Sequence, residues 1–338
     1  MIEKWVTGPQ LTQFYTRTYL PTSGPPRALI VFLHGFAEHT GRYSHIHPKL
    51  SERQVALWTF DQRGKTVVKK SSWGKTSWSD QMQDLDWAVK TAMKEVPGVP
   101  TFLFGHSMGG GEVLSFVTQQ SYAKPEYAET VASLTGVIIT SPLIRQTTPA
   151  AKLLRWFGGK VAIVSPYTLI PADVDAKYLS HSPEFNEAYV QDPLIKSTGS
   201  LKGLGDMLTE GEKLLSVGCH QWPKKLPVLF MHGDEDKVTS VKATQEFCER
   251  IDADDKKIII YPGGYHELQS ELPDVRQQLV SDIVSFVLGH ISSKPTMEPS
   301  PSAGAGGTSN INTSGDSREN PISSAALEEG KATSKLTS

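Results

Sequence analysis

Six short runs, 28–34, 55–60, 101–105, 136–140, 227–232 and 257–261, are apolar and rich in β-branched residues almost without a break. A strand with one face in water alternates apolar and polar residues, whereas a strand covered on both faces need not, so these runs predict parallel strands inside a buried sheet. Between them the pattern changes to a helical period. Ser77-Trp78-Ser79-Asp80 resembles a capping box that opens into apolar Met82, Leu85, Val89 and Met93, and Leu272, Val275, Leu279, Ile283 and Phe286 make a second stripe. Strands alternating with helices predict an α/β chain on a mostly parallel central sheet flanked by helices. With 338 residues, 38% of them hydrophobic, there is material for one large core.

The alternation stops over 142–222, which has helical patches, several prolines and no clear strand. Leu153, Leu154, Trp156, Phe157, Val161, Ile163, Val164 and Tyr167 are too dense in apolar side chains for a solvated loop, so this stretch is expected to be a helical cap or lid over a core of 1–141 and 223–290. Beyond His290 the composition turns to Ser, Thr, Gly, Pro and Ala without an aromatic residue, and 291–338 is expected to be a disordered low-complexity tail. Its Asn312-Thr313-Ser314 is a sequon by pattern only, and Ser334-Lys335-Leu336 is not terminal.

A formal net charge of -2 gives no pull toward nucleic acid or a strongly anionic membrane surface. The two cysteines, Cys219 and Cys248, form neither a Cys-x-x-Cys pair nor a metal-ligand spacing. Met1-Ile2-Glu3-Lys4-Trp5 lacks the apolar run of a signal peptide, which predicts a cytoplasmic protein. The most apolar stretch, 153–170, is interrupted by Arg155, Gly158, Gly159, Lys160 and Pro166, short of the roughly 18 unbroken apolar residues of a membrane span. An apolar cap on a chain without a span predicts at most peripheral contact with a membrane or lipid droplet.

Gly105-His106-Ser107-Met108-Gly109 follows a predicted strand and precedes a helical run through Glu112, Val113, Phe116 and Val117. A serine held on so sharp a strand-to-helix turn needs small neighbours, and this context makes Ser107 a candidate nucleophile. A hydroxyl is weakly nucleophilic near neutral pH, so a base must take its proton and a third group must hold that base in one tautomer. Downstream, one strand ends in Gly233-Asp234-Glu235-Asp236 and another in Gly263-Gly264-Tyr265-His266, which gives the order Ser, Asp, His of the α/β-hydrolase fold. His266 is the candidate base; His34 and His106, nearer in sequence, are expected to shape turns instead. Among the three acids the Gly-x-x-Asp spacing favours Asp236, whose competing role is a helix N-cap ahead of 238–251. An oxyanion needs two fixed backbone N–H donors, for which Met108 and Phe36 are the candidates.

His34-Gly35-Phe36-Ala37-Glu38-His39 with Gly41-Arg42-Tyr43, Phe60-Asp61-Gln62-Arg63-Gly64, the Ser107 pentapeptide with Gly110, Gly233-Asp234-Glu235-Asp236 and Tyr265-His266-Glu267-Leu268 together resemble the monoacylglycerol lipase family, most nearly its fungal branch, over about 5–289. The resemblance implies hydrolysis of monoacylglycerols to glycerol and fatty acid, a lipid-facing cap and no cofactor. It also implies that Glu38 and Arg42 help form the polar pocket for the glycerol head; local pairing of Glu38 and a solvated Arg42 is the plainer alternative. The chain departs from the family at Gly64-Lys65-Thr66-Val67-Val68 and at Gln269, where many relatives carry a second histidine; these bear on substrate preference. Other acyl esters or thioesters are the alternative substrates. Acyl transfer is disfavoured, since no histidine here begins a His-x-x-x-x-Asp pattern.

Overall fold

The computed structural model describes residues 1–64, 73–119, 125–148 and 162–291. Apart from Ile291, the tail expected at 291–338 lies outside the described residues, as do Leu153, Leu154, Trp156, Phe157 and Val161 of the expected cap and the departure at 65–68. The predicted runs become β3 (Ala28–Leu33), β4 (Val55–Phe60), β5 (Thr101–His106), β6 (Leu134–Thr140), β9 (Val228–Gly233) and β10 (Lys256–Tyr261). They lie in one eight-stranded sheet with β1 (Ile2–Thr7) and β2 (Gln13–Tyr19), in the order β1-β2-β4-β3-β5-β6-β9-β10. From β4 to β10 neighbours run parallel, while β1 and β2 are antiparallel.

The continuous apolar runs have a direct cause in the packing. Leu29, Val31 and Leu33 face one hydrophobic cluster, and Ala28, Ile30 and Phe32 face another on the opposite side of the sheet. The first cluster is closed by α2 (Trp78–Glu95), α3 (Met108–Gln119), α6 (Leu201–Ser216) and α7 (Val241–Arg250), and the second by α1 (His47–Ser51) and α8 (Pro273–Ile291). Ser77 caps α2 by accepting from the Asp80 N–H, and Met82, Leu85 and Val89 are buried beneath. In α8 the stripe starts one turn late: Leu279, Ile283 and Phe286 are buried, but Leu272 precedes the helix and is exposed. The short α4 (Ala128–Ser133) leads into β6.

Two features differ from the sequence reading. The hairpin β1–β2 was not expected, because β1 is almost wholly exposed and β2 turns polar Thr16 and Thr18 inward beside Phe14. Between β6 and β9, where no strand was expected, β7 (Leu169–Pro171) and β8 (Thr198–Ser200) form a separate antiparallel pair. The same stretch contains α5 (Pro183–Gln191) and α6. Met207, Leu214 and Leu215 of α6 are packed into the core cluster with α2, α3 and α7, so this helix is docked on the helix layer that covers this face of the sheet.

Arg63 fixes the hairpin turn to α2. It donates from Nε and Nη2 to Asp84 at 2.8 and 2.6 Å, and from Nη1 to Gln10 Oε1 and Thr12 Oγ1 at 3.0 and 2.9 Å. Asp84 is buried, and removing a cation from a buried carboxylate is far more costly than removing an exposed pair. Arg63→Ala is therefore expected to lower stability by about 3–5 kcal/mol in urea titrations; a shift no larger than that of an exposed Lys4→Ala control would contradict this assignment.

Candidate active site

Ser107 sits between β5 and α3 with φ 55, in the left-handed region that a non-glycine residue rarely adopts. Its N–H donates to Thr140 O at 3.0 Å, and its carbonyl accepts from the Leu143 and Gly111 N–H groups at 2.8 and 3.1 Å. The turn brings α3 against the sheet backbone. A Cβ on Gly105 would lie 2.4 Å from the Gly109 carbonyl oxygen, and one on Gly109 would lie 2.6 Å from the Leu33 and His34 carbonyl oxygens. Only glycine fits at either position.

His266 Nε2 lies 2.9 Å from Ser107 Oγ, and His266 Nδ1 lies 2.7 Å from Asp236 Oδ2. The structure thus brings the three residues into one line, each of them buried. Asp234 instead accepts from the Gly263 N–H at 2.6 Å, on the exposed side of the turn. Asp236 is not the cap of α7, a place taken by Ser240; its Oδ1 accepts from the Val238 and Thr239 N–H groups at 2.7 and 2.9 Å. Burial alone would raise the Asp236 carboxyl, but the charge of His266 and the hydrogen bonds from His232 and His266 outweigh it and hold the group below the usual carboxylate range. Burial pulls His266 down; the Asp236 charge and hydrogen bond, with Glu267 and Glu38, raise it above the ordinary imidazole value.

The other two histidines near the turn have different surroundings. His106 is fully buried, and burial together with His266 pulls it down to about 3, so it stays neutral. His34 accepts the Gln62 N–H at Nε2 at 3.0 Å, with Nδ1 2.9 Å from the Gly35 carbonyl, while Gln62 Nε2 donates back to His34 O at 2.7 Å. This pair fixes the start of the loop that carries Phe36. A Cβ built on Gly35 would lie 3.1 Å from Ser107 Cβ, so the loop is directly against the serine. Met108 is the first residue of α3, where a backbone N–H has no partner within its own helix.

Glu38 and Arg42 are together, but not as a solvated pair. Arg42 Nη1 donates to Glu38 Oε2 and to Glu267 Oε1, both at 2.7 Å, and Nη2 donates to Glu267 Oε2 at 3.0 Å. Tyr43 donates to Glu38 Oε2 at 3.0 Å, and the Arg42 guanidinium lies 4.8 Å from the centre of the Tyr189 ring. Burial pushes Glu38 up, against Arg42, whereas the bidentate Arg42 overcomes burial at Glu267 and holds it down at about 2. Tyr189 belongs to α5, which is also tied to the core by His39 Nε2 at 2.8 Å from Asp192.

A cavity of about 1070 Å³ opens over Ser107 and His266. Leu143, Ile170, Val174, Leu179, Leu204 and Met207 give it apolar walls, and Glu38, Tyr189 and Glu267 give it a polar corner near the serine. Arg42 is not a lining residue; it stands behind the two glutamates. The sequence alone assigns no role to His232, Thr239, Glu267 or Tyr189. Two of them left a signal: Glu267 stands in the Tyr265-His266-Glu267-Leu268 motif, and His232 is a histidine at the end of a predicted strand, four residues before Asp236. Among the described residues no cluster of His, Cys, Asp and Glu is arranged to hold a metal ion.

The family profile described as serine aminopeptidase S33 (Hydrolase_4) matches residues 24–273. A putative monoglyceride lipase of Schizosaccharomyces pombe is 32% identical over 85% of this chain and 73% of its own length. The monoglyceride lipase of Homo sapiens is 27% identical over 84% of this chain and 90% of its own. In structure, the chain is similar to a soluble variant of the monoglyceride lipase from Saccharomyces cerevisiae in complex with a substrate analog, with a TM-score of 0.75, 26% identity, and coverage of 84% of this chain and 96% of that one. The protein therefore belongs to the Hydrolase_4 family of α/β-hydrolase serine hydrolases and, within it, to the monoacylglycerol lipases.

Proposed function

We propose that the protein hydrolyses monoacylglycerols to glycerol and free fatty acid through an acyl-enzyme on Ser107. The observation that carries this reading is the Ser107–His266–Asp236 line in a cavity that has apolar walls, a polar corner at Glu38, Tyr189 and Glu267, and charged residues of α6 such as Lys202, Asp206 and Glu210 elsewhere on its lining. The apolar walls suit a single acyl chain, and the carboxylates of Glu38 and Glu267 beside the serine suit a hydroxylated head group. In this mechanism His266 Nε2 takes the Ser107 proton as Oγ attacks the ester carbonyl, and Asp236 holds the Nδ1–H tautomer and balances the imidazolium. The Met108 and Phe36 N–H groups receive the oxyanion. His266 then protonates the departing glycerol oxygen, and water, activated by the same ring, releases the acid. Arg42 acts through Glu38 and Glu267, holding both side chains in place and keeping Glu267 ionised.

We assign 142–222 as a cap on a core of 1–141 and 223–290. Ile163, Val164, Tyr167 and Leu169 of this stretch are exposed, and Ile163 also lines the cavity. Such a rim fits peripheral contact with a membrane or lipid droplet by a cytoplasmic protein. Among the described residues no helix is long and apolar enough to cross a membrane.

The direct test is glycerol and fatty-acid release from mono-, di- and triacylglycerols at equal dispersed concentration. Selective attack on monoacylglycerol is expected, with kcat reduced on the order of 10^6-fold in Ser107→Ala; turnover of small soluble esters alone would contradict the assignment. The base must be neutral to act, so kcat/KM is expected to fall as pH drops through the His266 value, with a midpoint above the ordinary 6.5. A midpoint below it would contradict the arrangement of charges.

Arg42→Ala leaves two buried carboxyls without their cation and is expected to lower stability by about 3–5 kcal/mol near neutral pH. In the wild type Glu267 is held below its unfolded value near 4.5, so its contribution is present above that value and lost as pH falls toward 2. Without Arg42 both carboxyls lie above their unfolded values, and the variant should become less stable as pH rises through the folded ones. Urea midpoints measured from pH 4 to 8 would show an unchanged slope if Arg42 did not hold these groups.

A further inference from the structure

His232 is the penultimate residue of β9 and has no exposed surface, yet both of its ring nitrogens have polar neighbours. Nε2 lies 3.0 Å from Asp236 Oδ2, the oxygen that receives His266 Nδ1, and 3.3 Å from Thr239 O. Both are acceptors, so Nε2 must carry a proton. Nδ1 lies 2.9 Å from the Thr244 hydroxyl on α7, a group able to donate to a neutral ring or accept from a charged one. The Thr239 hydroxyl, 2.9 Å from the same Oδ2, completes the ring of donors. An apolar side chain would fill this place in the core at no polar cost; an imidazole is economical here only because the carboxylate requires it.

We infer that His232 is a positioning residue for Asp236, a second imidazole that locks the rotation of the carboxylate serving His266 and tempers its charge. The inference rests on reading Ser107, His266 and Asp236 as the reacting line. Two rings on one oxygen prevent the carboxylate from turning its other oxygen to His266, since Oδ1 is held by the Val238 and Thr239 amides. Drawing charge toward His232 also makes His266 less basic than it would be against a carboxylate with one ring. The charged and titratable groups around the pair are Asp236 between the rings and Glu267, Glu38 and His106 on the His266 side. From α7 come Thr244, which does not titrate, and one turn further Cys248, whose thiol burial pushes up.

The test compares His232→Leu with His232→Gln, whose amide N–H can stand where Nε2–H stands. Hydrolysis of monoacylglycerol is followed against pH, active sites are counted by fluorophosphonate titration, and the rate of fluorophosphonate labelling is followed against pH in parallel. For His232→Leu, a fall in kcat of about 10- to 100-fold per active site, the worth of a hydrogen bond to an ion, is expected with KM little changed. The acid limb of both pH profiles should move to higher pH, because Asp236 without its second donor attracts the proton on His266 more strongly. His232→Gln should recover most of the rate and the wild-type limb. A wild-type rate and limb in His232→Leu, or a loss that merely follows the fraction of titratable sites, would overturn the inference. Labelling depends on the activated serine and not on the class of ester, so a protein inactive on monoacylglycerol would still report on His232.

Discussion

The left-handed backbone at Ser107 is the constraint on which the rest of the structure depends. Such a conformation costs on the order of 1–3 kcal/mol and persists only where the surroundings over-determine it. Here they do so through the Thr140 carbonyl and the Leu143 and Gly111 amides, which hold the two sides of the Ser107 peptide unit. For those groups to be in reach, α3 has to start against the ends of β3 and β5, and that approach is open only because Gly105 and Gly109 have no Cβ. The same contact sets the loop of Phe36 beside the serine. One local conformation thus links the end of β6, the start of α3 and the candidate oxyanion donors.

Around the serine, two buried charge systems lie side by side without cancelling. Asp236 is surrounded by donors and stays ionised despite burial. Arg42 neutralises Glu267 through a bidentate pair and leaves Glu38 raised by burial. His266 lies between the two systems and gains basicity from both, while His106, with no carboxylate of its own, stays neutral. Because Arg42 spends its donors on the two glutamates, the polar corner of the cavity presents carboxylates to a substrate and not a guanidinium.

Much of this was legible in the sequence where the physics is local. Strands buried on both faces left continuous apolar runs, and the Ser107 turn left its glycines. The hairpin β1–β2 left neither, because β1 is exposed and β2 buries threonines that read as polar. Leu272 matched the period of α8 but lies before its first turn, where the period no longer decides burial. The Arg42–Glu267 pair joins residues 225 apart in sequence, and no local pattern encodes such a meeting. His232 read as the end of a strand; its hydrogen bond to Asp236 depends on how the following turn folds back over it.

The central claim is that Asp236, rather than Asp234 or Glu235, serves the base that activates Ser107. The most direct measurement is the rate of fluorophosphonate labelling in Asp236→Asn and Asp234→Asn, with the modified peptide identified by mass spectrometry. The account predicts a single adduct on Ser107, slowed on the order of 10^4-fold in Asp236→Asn and nearly unchanged in Asp234→Asn. Labelling at the wild-type rate in Asp236→Asn, or an adduct on another serine, would contradict it.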